Sequence, residues 1–249
     1  MDAPKPKAIS DRDEVEATLR EDLALANHIL VNEGVLDGFG HVSARDPLDP
    51  TRFYLSRNMA PALVHPDDIR IFDLDGNIVN SEPVSVYLER FIHSSIYKAR
   101  PDASGIVHSH SASVVPFSVS KNTQLRPICH MAGFLRNYAP VYEIRDHAGQ
   151  SSDLLIKNPE LGDSLATCLD QHSIVLMRGH GVTVVGRDLR QTVFRAIYTE
   201  RNASIQSAAH FLGESTFLTE SEAISADEAN SGQVDRAWNY WVHQVVNAR

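Results

Sequence analysis

The sequence of 249 residues predicts an α/β fold in a single domain. Apolar residues recur at helical spacing near the start of the chain and again from about residue 188, which is typical of amphipathic helices. Between these segments lie short apolar runs bounded by turn residues, which is typical of strands. No internal repeat, low-complexity block or linker divides the chain. We therefore predict a flexible tail over residues 1–9 and one domain over residues 10–249.

The first predicted helix begins at Ser10, whose side chain can cap it, and ends near Gly34, since glycine favours helix termination. Within it Val15, Leu19 and Leu23 recur at helical spacing. Strands are predicted at residues 39–45, 52–55, 69–74, 104–108, 174–177 and 182–185. Further helices are predicted over residues 87–99, from about 112, and from 188 to about 211.

Charge and composition exclude several classes of function. Lys and Arg total 23 against 32 for Asp and Glu, so the net charge is −9 with neutral histidines. An acidic chain is a poor partner for a phosphate backbone, so we expect no nucleic acid partner. No stretch reaches about 18 apolar residues, which predicts no membrane span. Two cysteines, Cys129 and Cys168, and the lack of a signal-peptide pattern favour a reducing, cytoplasmic setting.

Histidine is the conspicuous residue type, with 12 copies. His108 and His110 are two residues apart at the end of a predicted strand, so both can face the same side and share a metal ion. The alternative is one buried and one solvated imidazole. His180 lies between Gly179 and Gly181, which permit close approach of the backbone, although an ordinary strand connection is also possible. Three imidazoles with an open position are typical of a catalytic metal site.

Three other residues are candidates for the same site. Glu89 lies inside the predicted helix over residues 87–99 and could act as a general acid or base near a metal, or be a solvated surface charge. His41 and His130 lie in less regular segments and could line a pocket. The sequence contains neither a dinucleotide fingerprint nor a nucleophile elbow centred on serine.

Three segments together resemble the class II aldolase/adducin family over roughly residues 14–212. They are GHVSAR at 40–45, ARPDASGIVHSHS at 99–111 and RGHG at 178–181. The resemblance implies a three-layer α/β/α sandwich around a largely antiparallel central sheet. It also implies a homotetramer with active sites at subunit interfaces.

The resemblance further implies which residues carry the chemistry. His108, His110 and His180 correspond to the histidines that hold a divalent metal ion in the family, usually zinc. Glu89 corresponds to the acid/base of the sugar-phosphate aldolases. Three imidazoles suit zinc, but they also accept manganese, iron or cobalt.

The sequence departs from the phosphosugar members of the family at three places. Those members typically have Gly-Asn at 40–41, Thr-Gly at 56–57 and Ser-Ser at 87–88. The bulkier side chains of this sequence do not build a phosphate nest, whereas an arginine fork suits a planar carboxylate. We therefore expect Arg57, with Ser56 and possible help from His41, to bind a substrate carboxylate. The alternative is that Arg57 is a solvated loop residue.

Three functions remain in competition. The sequence is closest in pattern to the branch that decarboxylates hydroxylated aromatic or pyridine carboxylates. A class II aldolase acting on an unphosphorylated hydroxy-keto acid or sugar uses the same parts, so spacing alone does not separate the two lyases. A non-catalytic scaffold like adducin predicts lost metal ligands, which this sequence retains. An aromatic C-terminal segment with Trp238, Tyr240 and Trp241 is expected to anchor on a neighbouring subunit.

Overall fold

A computed structural model describes residues 11–79 and 82–247, except for the side chain of Asp11. At its centre is a seven-stranded sheet with the order β3-β2-β1-β4-β7-β6-β5. The strands are β1 (His41–Arg45), β2 (Arg52–Ser56), β3 (Ile69–Asp73), β4 (Gly105–Ser109), β5 (Val141–Tyr142), β6 (Ile174–Met177) and β7 (Gly181–Gly186). The predicted tail over residues 1–9 and the predicted cap at Ser10 lie outside the described residues.

The direction of one strand corrects the expected sheet. All neighbouring pairs are antiparallel except β5 and β6, which run parallel. The sheet is therefore mixed, although most of its pairs are antiparallel. Sequence reasoning missed β5 because a strand of two residues leaves no readable alternation of apolar and polar side chains.

Helices cover both faces of the sheet. They are α1 (Asp11–Asn32), α2 (Arg90–Ala99), α3 (Val115–Val119), α4 (Arg145–Ala148), α5 (Pro159–Leu169), α6 (Leu189–Leu212), α7 (Glu220–Ser231) and α8 (Val234–Asn247). One apolar core joins α1, α6 and α8 to one face of the sheet, and a second joins α2 and α5 to the other. Strand alternation explains this division, since Tyr54 contributes to the first core while Phe53 and Leu55 contribute to the second.

Two element boundaries differ from the sequence prediction in ways that affect the site. The strand predicted over residues 39–45 begins only at His41, because Gly40 adopts φ +89°, which breaks the extended backbone. The helix predicted over residues 87–99 begins only at Arg90, and Glu89 is its N-cap residue. Glu89 makes no side-chain capping bond, so its carboxyl group is available for other contacts.

The C-terminal aromatic residues correct a second expectation. Trp238 and Trp241 lie in α8 and are buried in the core of their own chain, so they do not reach for a neighbouring subunit. Tyr240, on the same helix, is exposed. Among the helices described, none combines the length and the apolar character that crossing a membrane requires.

Candidate metal centre

Strand pairing brings the three predicted metal-binding histidines together. His108 lies in β4 and His110 follows directly after it, while His180 directly precedes β7. Because β4 and β7 are antiparallel neighbours with Ser109 opposite Val182, the end of one strand meets the start of the other. The backbones are so close there that a Cβ atom at Gly181 would collide with the carbonyl oxygen of Ser109. Only glycine fits this position.

Glu89 completes a cluster of four side chains that could hold a metal ion. One ligand atom from each of Glu89, His108, His110 and His180 lies within 4.8 Å of all the others. The Nε2 atoms of His110 and His180 are 3.0 Å apart. Oε2 of Glu89 is 3.7 Å from Nε2 of His108 and 3.6 Å from Nε2 of His180.

The donor set of this cluster fits a divalent transition metal. Nε2 of His108 is buried and has no hydrogen-bond partner among the described residues. A buried imidazole nitrogen without a partner is costly unless something else satisfies it, and a cation bound by the converging nitrogens does so. His108, His110 and His180 would hold the ion, and the Glu89 carboxylate lies beside it.

A backbone carbonyl fixes the tautomer of His180. Nδ1 of His180 lies 3.0 Å from the carbonyl oxygen of Leu154. Since a carbonyl only accepts, Nδ1 carries the hydrogen and Nε2 keeps the lone pair that faces the cluster. Leu154 adopts φ 69°, which is uncommon for a residue with a side chain. This backbone conformation places its carbonyl where His180 needs an acceptor.

Burial shifts the pKa values of the cluster in opposite directions. Burial raises the pKa of Glu89 to about 7, although a hydrogen bond from the backbone N–H of Ile156 opposes the shift. Burial, with the neighbouring His110, lowers the pKa of His180 to about 4. Burial also lowers the pKa of His108 and of His110. The imidazoles are therefore neutral near pH 7, while Glu89 can give up or take a proton there.

These pKa values predict which group loses a proton when zinc binds at pH 6. At that pH Glu89 of the metal-free protein is mostly protonated, because its pKa of about 7 lies above the ambient pH. A nearby cation lowers the pKa of a carboxyl group, whereas His108 and His180 are already neutral at this pH. We expect release of about one proton for each zinc ion bound, and much less in Glu89→Gln. Calorimetry in buffers of different ionisation enthalpy measures the number of protons released. Equal release by wild type and Glu89→Gln would show that the proton does not come from Glu89.

A cavity of about 340 Å³ opens beside the cluster. Glu89 and His110 line it, together with His41 and Tyr87. The ring centroids of His41 and Tyr87 are 4.7 Å apart, and those of His41 and His108 are 5.1 Å apart. Of the three residues expected to bind substrate, His41 therefore lies at the cavity.

Arg57 and Ser56 are not among the residues that line this cavity. The Nε atom of Arg57 donates to Oδ1 of Asp68 at 2.7 Å, and 42% of the Arg57 side chain is exposed. Ser56 is buried, and its Oγ lies 3.1 Å from Oη of Tyr87. Tyr87 donates in turn to the carbonyl oxygen of Met59 at 2.7 Å. Ser56 thus holds Tyr87 at the wall of the cavity.

Sequence reasoning missed a buried polar chain behind His41. It runs from His41 through His93 and Ser43 to Tyr97, and all four side chains are buried. Burial lowers the pKa of His93 to about 3, so its ring is neutral. The available signal was that His93 lies one helical turn after Glu89. His130, a candidate for the pocket, does not line this cavity.

A family model for the class II aldolase and adducin N-terminal domain matches residues 21–207. The chain belongs to this family. It is 39% identical over 241 residues to the decarboxylase tropJ of Talaromyces stipitatus, covering 88% of this chain and 90% of that protein. It is 28% identical over 201 residues to a 3,4-dihydroxyphthalate decarboxylase of Arthrobacter keyseri, covering 76% and 77%.

Solved structures agree with the fold of a class II aldolase. The L-fuculose 1-phosphate aldolase from Glaciozyma antarctica PI12 superimposes with a TM-score of 0.76 at 23% identity. The alignment covers 96% of this chain and 94% of the other. The mixed sheet with flanking helices is thus the class II aldolase fold, and the curated relatives of this chain include decarboxylases.

Proposed function

We propose that this class II aldolase family member is a divalent-metal-dependent decarboxylase of a hydroxylated aromatic or heteroaromatic carboxylate. The observation that carries the proposal is the buried cluster of Glu89, His108, His110 and His180 beside a cavity. The similarity to decarboxylases along most of the chain supports the choice of reaction.

The three histidines would hold the ion, which supplies a Lewis acid that stabilises negative charge on an oxygen next to the reacting carbon. Breaking the bond to the carboxylate leaves an electron pair on the ring carbon as CO2 departs. Protonated Glu89 then transfers its proton to that carbon, and water restores the proton. Burial favours this role because it keeps a proton on Glu89 near neutral pH.

The walls of the cavity support a planar acid rather than a phosphosugar as the substrate. His41 and Tyr87 place aromatic rings at the cavity wall, at positions where the resemblance implies Asn and Ser in phosphosugar members. A phosphate site needs such small side chains and free backbone N–H groups. A flat, hydroxylated ring can pack against such side chains, while its carboxylate accepts hydrogen bonds from an N–H donor.

A product screen tests the reaction type. Purified protein loaded with zinc, manganese, iron or cobalt is incubated with hydroxyphthalates, hydroxypyridine dicarboxylates and hydroxy-keto acids. We expect CO2 release from at least one hydroxylated ring carboxylate, and none from the same ring without the hydroxyl group. Release of pyruvate or another aldol product, without CO2, would mean that the reaction is aldol cleavage of an unphosphorylated substrate and not decarboxylation.

We further propose Arg57 as a second contact for the substrate carboxylate. Among the described residues, Asp68 contacts Nε of its guanidinium and no hydrogen bond engages the terminal nitrogens, which can therefore donate to an anion. Loss of one charged hydrogen bond lowers kcat/KM by about ten- to a hundredfold, which is the expected effect of Arg57→Ala. Arg70→Ala, on the adjacent β3, is the control and is expected to leave kcat/KM unchanged. An unchanged value for Arg57→Ala would make Arg57 a structural partner of Asp68.

We also propose a homotetramer with active sites at its interfaces. Phe39 and Leu88 line the cavity, yet they are 69% and 61% exposed in the single chain. Large apolar side chains at the mouth of a site favour cover by a second copy of the chain. Sedimentation velocity at micromolar concentration is expected to give a tetramer, and Phe39→Asp with Leu88→Asp is expected to weaken it. A monomeric wild type would refute the proposal.

A further inference from the structure

A continuous chain of buried hydrogen bonds supports His41 from behind. Nδ1 of His41 lies 2.6 Å from Nε2 of His93, and Nδ1 of His93 lies 2.6 Å from Oγ of Ser43. Oγ of Ser43 lies 2.8 Å from Oη of Tyr97, where the chain ends. Both ring nitrogens of His93 are used, so His93 links the hydroxyl groups to His41.

Counting hydrogens gives this chain a direction. Each neutral imidazole carries one N–H, and Ser43 and Tyr97 each carry one O–H, which makes four hydrogens for three contacts. If every contact holds one hydrogen, the fourth hydrogen points away from the chain. It lies on Oη of Tyr97, on Oγ of Ser43 or on Nε2 of His41.

The Tyr97 end cannot accommodate the extra hydrogen. Tyr97 is buried, and among the described residues Ser43 is the only hydrogen-bond partner of its hydroxyl group. The Arg45 guanidinium over the Tyr97 ring carries only donors. A Tyr97 hydroxyl hydrogen directed away from Ser43 would be buried without an acceptor, which is unfavourable. The same holds for a Ser43 hydroxyl hydrogen directed away from the chain, because Ser43 is fully buried and, among the described residues, its Oγ contacts only His93 and Tyr97.

The His41 end can accommodate it. Nδ1 of His41 faces His93, so Nε2 lies on the opposite edge of the ring, and His41 lines the cavity. A water or a substrate oxygen in the cavity can accept from this N–H. In the arrangement that satisfies every group, Tyr97 donates to Ser43 and Ser43 donates to Nδ1 of His93. Nε2–H of His93 then donates to Nδ1 of His41.

We propose that Tyr97, Ser43 and His93 are positioning residues that hold His41 as its Nε2–H tautomer. His41 is thereby a hydrogen-bond donor to an anionic substrate oxygen, and it is withheld from the metal, which requires a lone pair on the facing nitrogen. The role of the donor rests on the proposed function, whereas the tautomer does not. His41 lies beside the cluster, with its ring centroid 5.1 Å from that of His108, and its tautomer distinguishes this donor from His108, His110 and His180.

Nitrogen-15 spectroscopy of histidine-labelled protein tests the tautomer without any substrate. In zinc-loaded protein we expect His41, identified by the signal lost in His41→Gln, to be protonated at Nε2 and unprotonated at Nδ1. His172 is an internal control, because its Nδ1 lies 3.2 Å from the carbonyl oxygen of Leu169 and must carry the hydrogen. The two residues should therefore show opposite tautomers. A His41 protonated at Nδ1, as His172 is, would overturn the proposal.

Two substitutions of His93 test its role in positioning. The amide of His93→Gln can donate to His41 and accept from Ser43, whereas His93→Phe fills the same space with no polar atom. On the substrate identified by CO2 release, we expect His93→Phe to lower kcat/KM about ten- to a hundredfold and to give His41 mixed tautomers. His93→Gln should restore both. Wild-type kcat/KM and an unchanged His41 tautomer in His93→Phe would mean that His93 acts through packing alone.

The two hypotheses can fail separately. If no carboxylate is decarboxylated while His41 still carries its hydrogen on Nε2, the proposed function is wrong and the tautomer assignment stands. If CO2 is released while His41 is protonated at Nδ1, the function stands and the assignment is wrong.

Discussion

His108→Ala is expected to abolish binding of the proposed divalent metal and to lower kcat/KM on the proposed substrate by on the order of a thousandfold or more. Nε2 of His108 is one of four donor atoms that lie within 4.8 Å of one another, and its imidazole is fully buried. Alanine offers no ligand, and two remaining imidazoles bind a transition metal far more weakly than three. Elemental analysis of the purified variant measures the loss.

A second variant separates loss of metal from loss of folding. Removal of the fully buried His108 ring can also destabilise the protein, whereas 9% of the His180 side chain is exposed, so His180→Ala is expected to be less disruptive. It should lose metal to a similar extent and keep its thermal transition. His172→Ala, outside the cluster, is the matched control and should bind one metal ion per chain. Full metal occupancy in both His108→Ala and His180→Ala would rule out this centre.

The three histidines could be predicted from the sequence because local rules place them. His108 and His110 are two residues apart at the end of a strand, and the glycine after His180 allows β7 to approach β4 closely. The pairing of β4 with β7 joins segments that are far apart in the sequence, and only the family resemblance predicted it. Periodicity predicted the helix that follows Glu89, but its first turn was misplaced because Glu89 makes no capping bond that a sequence pattern could reveal.

The hydrogen-bonded chain behind His41 was not predictable in the same way. Ser43 shares β1 with His41, while His93 and Tyr97 lie one turn apart on α2. Nothing local shows that α2 crosses β1 at this point, because only the packing of the second core sets their relative position. Polar residues buried by tertiary packing look the same in sequence as polar residues on a helix surface.

Arg57 shows that the sequence also cannot tell a substrate-binding arginine from one held by an ion pair. Its residue type suits a carboxylate, yet Asp68 lies eleven positions later and reaches its Nε in the fold. A short-range ion pair of this kind cannot be distinguished from a substrate contact by sequence. His41, expected from the sequence only to assist Arg57, lies at the cavity.

The second large effect is expected for Glu89→Gln, which should lower kcat by about a hundred- to ten-thousandfold while metal occupancy stays full. Glutamine has nearly the same shape and can still accept the hydrogen bond that Ile156 donates to Oε1 of Glu89. It cannot transfer a proton, so only the acid/base function is removed. Comparison of kcat with metal content in the same preparation separates this outcome from the metal loss of the histidine variants.

The pH dependence of wild type gives the same residue a second signature. If protonated Glu89 delivers the proton, activity falls as the pH rises through its pKa, since the acid form is then lost. Burial raises that pKa to about 7, and a bound cation lowers it again, so the falling limb is expected at or below neutral pH. Glu89→Gln should lack this limb. Asp235→Asn is a useful control, because Asp235 is an exposed carboxylate that pairs with Arg190 and should change kcat little. A Glu89→Gln variant that keeps wild-type kcat and the same limb would assign the proton transfer to another group at the cavity.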